Sequence, residues 1–487
     1  MKSMCCLCLN MTVRRACTFA LGFILLNHGQ AAAQHGDPLL DELFGEGANA
    51  PELLLDDDLD SLLDGGESPL DSPAASAESS ALRSWKGFFE FEPRLFLRDR
   101  NEGRKDEQYL LQGELELEFA LGQGGSAYFR PRVFLDLADS DVKRFEPYEA
   151  YVTIEREDWD LRMGQFVENW GIADTYNPID VINRRDLATD FLDTDRLGEL
   201  GFRYRAFMDG GETLGEPTLS LYALPIWQAT PFPTENQRFG FASESLSFDE
   251  DAGFEPEGLD RALFATRFQS TLTTDPLNAD LQLLVAHGPE RMPSIAVGRG
   301  GVLAPAYYGA TTFGAGLRAV PNQDVLGEFL STLTLKAEVV FKDPYAYDDS
   351  PIAQPQDYLS YVVGVDRSFY DVLREQDTLT MTVEYAVETG ADDASSDLRL
   401  FQNDVVLRGL WEAGDFARTS IEMRAIVDLD ESESIAEAIY QRQLRSVHED
   451  LKLTLQFQHF NAGDEQASVI DLFPDNTSVA VGLRWDF

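Results

Sequence analysis

From residue 85 onward, apolar and polar side chains alternate with a period of two. Between residues 89 and 97 the odd positions are Phe89, Phe91, Pro93, Leu95 and Leu97, while Glu90, Glu92, Arg94 and Arg98 face the other way. Leu111, Leu115, Leu117, Phe119 and Leu121 alternate with Glu114, Glu116 and Glu118, and residues 127–137 set apolar positions against Tyr128, Arg130, Arg132 and Asp136. This is the pattern of a strand with two unlike faces. A soluble sandwich gives the same alternation, so strand length and loop rhythm decide between the two. Many runs last ten to thirteen residues. Soluble strands are usually about five or six residues long, whereas the longer runs fit tilted strands that cross a bilayer. The connections also alternate. Short ones at 122–125, 157–158, 274–277, 412–415 and 447–450 interleave with long ones at 167–198, 228–259, 288–306, 342–357 and 461–476. Long loops on one side only are the signature of an outer-membrane barrel. The pattern predicts an all-β, transmembrane, antiparallel up-and-down β-barrel of about 18 strands, with both termini periplasmic. The weakest strand is 435–444, whose Ala and Glu content equally suits a helix. Because such barrels run to even strand numbers, its loss implies 16.

One connection stands apart. Strands over Trp159–Phe166 and Glu199–Phe207 bracket some thirty residues rich in Asp, Arg, Asn and aromatic groups. Loops of that length without regular structure tend to be functional. The expectation is that 167–198 enters the mouth or lumen after the fifth strand and narrows it. Asp174, Asp180, Arg184, Arg185, Asp186, Asp190, Asp193, Asp195 and Arg196 are too many charges for an apolar plug. Trp170 and Tyr176 are placed either to stack on a ligand or to wedge the loop against the wall, and packing is the preferred reading.

If the apolar positions face lipid, their alternates face the lumen, where charge sets selectivity. On this reading Arg94, Arg98, Arg130, Arg132, Arg162, Arg203 and Arg205 point inward beside Glu90, Glu92, Glu114, Glu116, Glu118, Glu149 and Glu155. Later strands turn Lys336, Glu338, Thr382, Glu384 and Gln456 the same way. Two readings stay open. Either the charges neutralise one another, or the arginines form a ladder for anionic or hydroxylated solutes, which their planar forks bind bidentately.

The last strand sets Val479, Val481, Leu483, Trp485 and Phe487 against Ala480, Gly482, Arg484 and Asp486. An ending of this kind, with Phe last and an aromatic residue third from last, resembles the C-terminal signal recognised by the barrel-assembly machinery.

The amino-terminal end adds an address. Lys2, Arg14 and Arg15, an apolar run over 16–26 and the small residues Ala31, Ala32 and Ala33 read as a signal peptide over 1–33. Its apolar core of about eleven residues is too short to cross a hydrocarbon layer about 30 Å thick. Residues 34–82 hold thirteen acids and no Lys or Arg, a composition expected to stay disordered. The domain reading is therefore signal peptide 1–33, acidic periplasmic leader 34–84 and barrel 85–487. Within the leader, the acidic-apolar patches 39–45 and 59–65 are either part of a solvated tether or short docking segments for a periplasmic transporter component.

Composition then removes several function classes. Lys plus Arg number 39 against 85 Asp plus Glu, for a net charge of −46, which argues against nucleic acid as a partner. All four cysteines lie within the first seventeen residues, so a mature chain without them carries no thiol chemistry. His35, His287, His448 and His459 lack the Ser–His arrangement of barrel phospholipases, and few His with no Cys disfavours a zinc site. Acidic loops such as 249–251 lack the spacing of a dedicated calcium loop. No enzyme, cofactor or metal is expected. The expected partners are outer-membrane lipid, lipopolysaccharide and the assembly machinery.

Gly164-Gln165, Asn169-Trp170-Gly171 and Asn177-Pro178-Ile179-Asp180-Val181 resemble a motif of a poorly characterised family of proteobacterial outer-membrane barrels. That family lies near the alginate-export-like and porin barrels and is often encoded beside resistance-nodulation-division exporters. The motif covers about eighteen residues, and the long acidic leader departs from the family's pattern. The resemblance implies solute or lipid passage across the outer membrane of a Gram-negative bacterium. Three functions follow as expectations: a porin-like channel for polar or anionic solutes narrowed by 167–198, an export or lipid-transport component docked through the leader, or a structural or adhesion barrel with a blocked pore.

Overall fold

The computed structural model describes residues 82–97, 104–122, 124–188, 194–234, 236–241, 247–297, 300–322, 328–347, 356–389, 401–430, 433–461 and 476–487. The signal peptide, the leader with its patches 39–45 and 59–65, and Arg98, Asp190 and Asp193 lie outside them.

Eighteen antiparallel strands form one closed sheet. The first five are β1 (Leu82–Phe96), β2 (Glu107–Ala120), β3 (Gly125–Asp136), β4 (Lys143–Glu155) and β5 (Trp159–Phe166). The insert after β5 carries a small hairpin of its own, β6 (Arg184–Asp186) with β7 (Asp195–Leu197). The wall resumes with β8 (Glu199–Phe207), β9 (Thr218–Leu224), β10 (Leu263–Thr274) and β11 (Leu277–Pro289). A second small hairpin, β12 (Ser294–Val297) with β13 (Leu303–Ala306), lies in the next long loop. The wall is completed by β14 (Gly309–Pro321), β15 (Leu333–Tyr345), β16 (Tyr358–Tyr370), β17 (Thr378–Glu388), β18 (Asn403–Glu412), β19 (Ser420–Asp428), β20 (Ser434–Gln443), β21 (Leu451–Asn461) and β22 (Ser478–Asp486). Each wall strand pairs with the next, and β22 returns to β1, with Phe96 opposite Ser478 and Phe88 opposite Asp486. Closure leaves no sheet edge with unpaired backbone groups. The segment 435–444, ambiguous in sequence, is strand β20, so the count is 18 rather than 16. Strand β1 begins at Leu82, three residues ahead of the boundary that the alternation suggests.

The alternation sorts side chains as a membrane barrel requires. In β8, Phe202 and Tyr204 are exposed on the outer wall, while Arg203 is buried and Arg205 half-buried on the inner one. Outer positions elsewhere are Leu283, Val285, Phe313, Val339, Val363, Val383, Leu407 and Val481, all exposed apolar groups spread around the circumference. Such a belt is stable against lipid and costly in water. Four of the six tryptophans, Trp85, Trp159, Trp411 and Trp485, sit at strand ends on the short-connection rim. Tryptophan favours the membrane–water interface because its ring is apolar and its N–H polar. Phe487 joins this rim, with its ring 5.3 Å from Trp485 and 5.5 Å from Phe89.

Candidate functional site

The candidate site is the lumen, and the insert after β5 runs through its centre. Trp170 is fully buried, with its ring edge-on to Tyr222 at 5.2 Å and the Arg267 guanidinium 5.5 Å from its centroid. It packs with Phe166, Ile179, Ile182, Leu224, Leu263, Leu284 and Val340. Wedging, not an open stacking face, is thus the role of Trp170. A Cβ at Gly171 would lie 1.9 Å from Asn177 Oδ1, so any larger residue there displaces the Asn177 side chain. That close approach brings the Asn-Trp-Gly and Asn-Pro-Ile-Asp segments together.

Beyond Gly171 the chain reaches the wall formed by β15, β16 and β17. Glu338 of β15 accepts the backbone N–H of Ala173 at 2.8 Å and that of Ile179 at 3.4 Å, and it also accepts from Ile172 N–H. Glu384 of β17 accepts Asp174 N–H at 2.7 Å and Thr175 N–H at 3.0 Å. Lys336 Nζ stands 2.7 Å from the Asp174 carboxylate and also pairs with Asp366. The Tyr176 hydroxyl lies 2.8 Å from Ser360 Oγ and donates to Glu388, and its ring stands 4.8 Å from Phe401. These strands lie six to eight places round the ring from β5, so the insert spans the lumen. These acceptors satisfy amides that the crossing removes from water.

The return path is a charge cage. Asp180 accepts from Arg185 at 2.7 Å, from Asn183 Nδ2 at 3.0 Å and from Arg196. Arg144 holds Asp186 bidentately at 2.7 and 3.0 Å. Arg184 lies 3.8 Å and Arg291 3.2 Å from Glu199. Burial holds the Arg184 and Arg185 guanidinium groups below their ordinary pKa despite these carboxylates.

The wall arginines are paired as well. Arg130 lies 2.7 Å and Arg132 2.9 Å from Glu114, and Arg132 also meets Asp195 at 2.5 Å. Arg203 binds Glu168 at 2.6 Å and Asp160 at 3.0 Å, Arg205 binds Asp160, and Arg162 lies 3.7 Å from Glu168. Arg94 contacts Glu92 at 3.1 Å. Of the two arrangements the sequence leaves open, mutual pairing describes these side chains. Among the described residues, no three His, Cys, Asp or Glu side chains converge as metal ligands.

Two features of the lumen have no counterpart in the sequence reading. First, the described parts of the loop between β9 and β10 (225–234, 236–241 and 247–262) also enter the barrel. Phe239 meets Phe96 edge-on at 6.3 Å and Phe460 edge-on at 5.7 Å, and Phe232, Phe241 and Phe248 cluster beside it. Thr230 N–H donates to the Tyr307 hydroxyl at 3.1 Å, and Thr234 Oγ1 to Asp139 at 2.9 Å. Second, the inner wall of β16 to β21 carries an apolar band short of the long loops, with the buried Ser360, Asp404 and Asp428 beyond it. Val406, Ile426, Ile435 and Phe460 are consecutive cross-strand partners on β18 to β21, all buried with Val362 and Ala386 in the cluster that holds the phenylalanines. The lumen therefore carries a partial apolar collar along β16 to β21, instead of being polar throughout. The sequence signal for the collar is three adjacent apolar residues where strict alternation should run, as at 405–407 and 425–427.

Several solved structures align with the chain. Pseudomonas aeruginosa OccK11 aligns with a TM-score of 0.45 at 10% identity, over 83% of this chain and 94% of that one. Salmonella typhi OmpF, solved with daunomycin, gives 0.40 at 10% identity over 83% and 97%. A loop-deletion mutant of OmpT, an outer membrane protein of Vibrio cholerae, gives 0.40 at 6% identity over 84% and 100%. No protein-family model and no curated protein matches the chain. The molecule is a closed 18-stranded antiparallel barrel with an apolar outer belt.

Proposed function

We propose that the protein is a porin-like channel of the Gram-negative outer membrane, passing small polar or anionic solutes through a lumen closed by its own loops. The observation that carries this is the hold on the insert. A segment crossing the lumen is tied to the far wall by Glu338, Glu384 and Lys336. These are polar contacts that water can replace one by one, unlike a solid apolar core. The lumen below them is lined by Arg130, Arg162, Arg205, Glu90, Lys452 and Arg484. Charged side chains lining the path set selectivity in such channels.

A second reading, a scaffold with a blocked pore, is favoured by the phenylalanine cluster of 225–262 against the apolar collar. Planar-bilayer recordings separate the two. A channel shows a small wild-type conductance that rises when residues 172–195 are deleted. Absence of conductance in both forms overturns the channel and supports the scaffold.

A further inference from the structure

Outside the lumen, the outer wall of β17 to β20 is hollowed at the short-turn rim. The hollow measures about 530 Å³ and is lined by Leu379, Trp411, Ile421, Met423 and Tyr440 around Gly409. Gly409 makes it: a Cβ there would meet nothing within 4 Å, and its cross-strand partners are Met381 and Met423, both exposed. Flexible thioethers beside a bare backbone form an adaptable apolar groove.

The rim of the groove is basic, in a chain whose net charge is −46. Arg374 and Arg442 are exposed on it and, among the described residues, neither forms an ion pair. The guanidinium of Arg374 lies 5.8 Å from the Trp411 ring centroid. Trp411 is itself fixed, donating from Nε1 to Asp377 at 2.8 Å. Asp415, the one acid lining the hollow, is already bonded to Thr419 N–H at 3.0 Å and Thr419 Oγ1 at 2.8 Å. The flanking turns present Leu373 and Phe416, both strongly exposed. An apolar groove within the membrane belt, topped at the tryptophan level by two arginines that form no salt bridge among the described residues, although Arg442 feels the charge of Asp415, has the shape and charge to take a phospholipid.

We propose that this face seats one phospholipid of the periplasmic leaflet, with its phosphate between Arg374 and Arg442 and an acyl chain over Gly409. The proposal rests on the reading that the barrel spans the outer membrane with its short turns toward the periplasm. The test uses the full chain reconstituted in vesicles of phosphatidylethanolamine and phosphatidylglycerol. Insertion is checked by heat-modifiable gel migration, and retained lipid is counted by native mass spectrometry after mild detergent extraction. Wild type is expected to keep one phosphatidylglycerol per barrel. Arg374→Gln with Arg442→Gln is expected to lower retention at least about fivefold by removing the charged hydrogen bonds. Gly409→Leu, whose side chain projects into open space, is expected to lower it similarly by filling the groove while the barrel still forms. An inserted barrel that keeps no lipid, or keeps it equally in all three proteins, overturns the seat alone. Failure of the wild type to insert overturns the membrane reading together with the seat.

Discussion

The carboxylate of Glu338, on the barrel wall, accepts the backbone N–H of Ala173 from the lumen insert at 2.8 Å. One side chain thus collects amides from both limbs of the insert's turn, since Ile179 N–H reaches its other oxygen. Glutamine at 338 keeps a single acceptor oxygen and turns an N–H₂ group toward the remaining donors. An unsatisfied buried donor costs about 1–3 kcal/mol, which corresponds to a roughly 5- to 150-fold change in the ratio of closed to open states. Glu338→Gln is therefore expected to raise open probability in planar bilayers with the barrel intact. An unchanged trace means that the insert does not gate the path.

Much of this frame is legible in the sequence, for a physical reason. Arg203 and Arg205 alternate with Phe202 and Tyr204 because the two faces of β8 meet different solvents, and that contrast writes itself as period two. Strand ends bordering long polar inserts are equally plain, as at Phe166 and Glu199. The collar is hidden because Val406 and Ile426 face inward beside Leu407 and Val427, which face lipid, and identical chemistry on both faces erases the period. Glu338 and Glu384 are readable as inward positions, but their partners Ala173 and Asp174 lie far away in sequence. Local pattern carries no trace of such pairings. The phenylalanines of 225–262 look like ordinary loop residues until the collar that receives them is known.

Trp170 and Gly171 anchor the near end of the insert. Truncating a buried tryptophan to alanine typically costs about 3–5 kcal/mol. The wall keeps its own hydrogen-bond ladder between β4, β5 and β8, so the loss falls on the insert. Trp170→Ala is expected to expose residues 172–195 to limited proteolysis while heat-modifiable migration persists. Gly171→Ala is expected to do the same, because its new methyl collides with Asn177. Resistance equal to wild type in both variants would show that the insert is held by its far end alone.

Asp377 organises the turn between β16 and β17. Desolvation pushes its pKa up, but the Trp411 indole and the N–H groups of Leu373, Val372 and Arg374 outweigh it and hold the carboxylate below its ordinary value. A group whose folded pKa is lowered stabilises the fold above its unfolded pKa of about 3.9, and the contribution fades as pH falls through the lower folded value. Asp377→Asn removes that dependence. Urea midpoints of the variant are expected to fall below wild type at neutral pH and to converge with it in strong acid. A constant gap at every pH would place the effect in packing rather than in charge.

The two lumen loops are joined. Arg184 of the insert donates to the carbonyl of Ala229 at 2.9 Å, and Leu187 packs in the same cluster as Phe232, Phe239 and Phe241. Deleting residues 172–195 thus removes part of the seat on which the phenylalanine cap rests. Phe239→Ala with Phe241→Ala is expected to loosen the cap and raise single-channel current several-fold over wild type. Made within the 172–195 deletion, the same pair is expected to add less, because groups that share a packed cluster lose their contributions together. Equal increments in the two backgrounds would mean that the loops act as separate barriers. No increment in either would put the cap outside the conducting path.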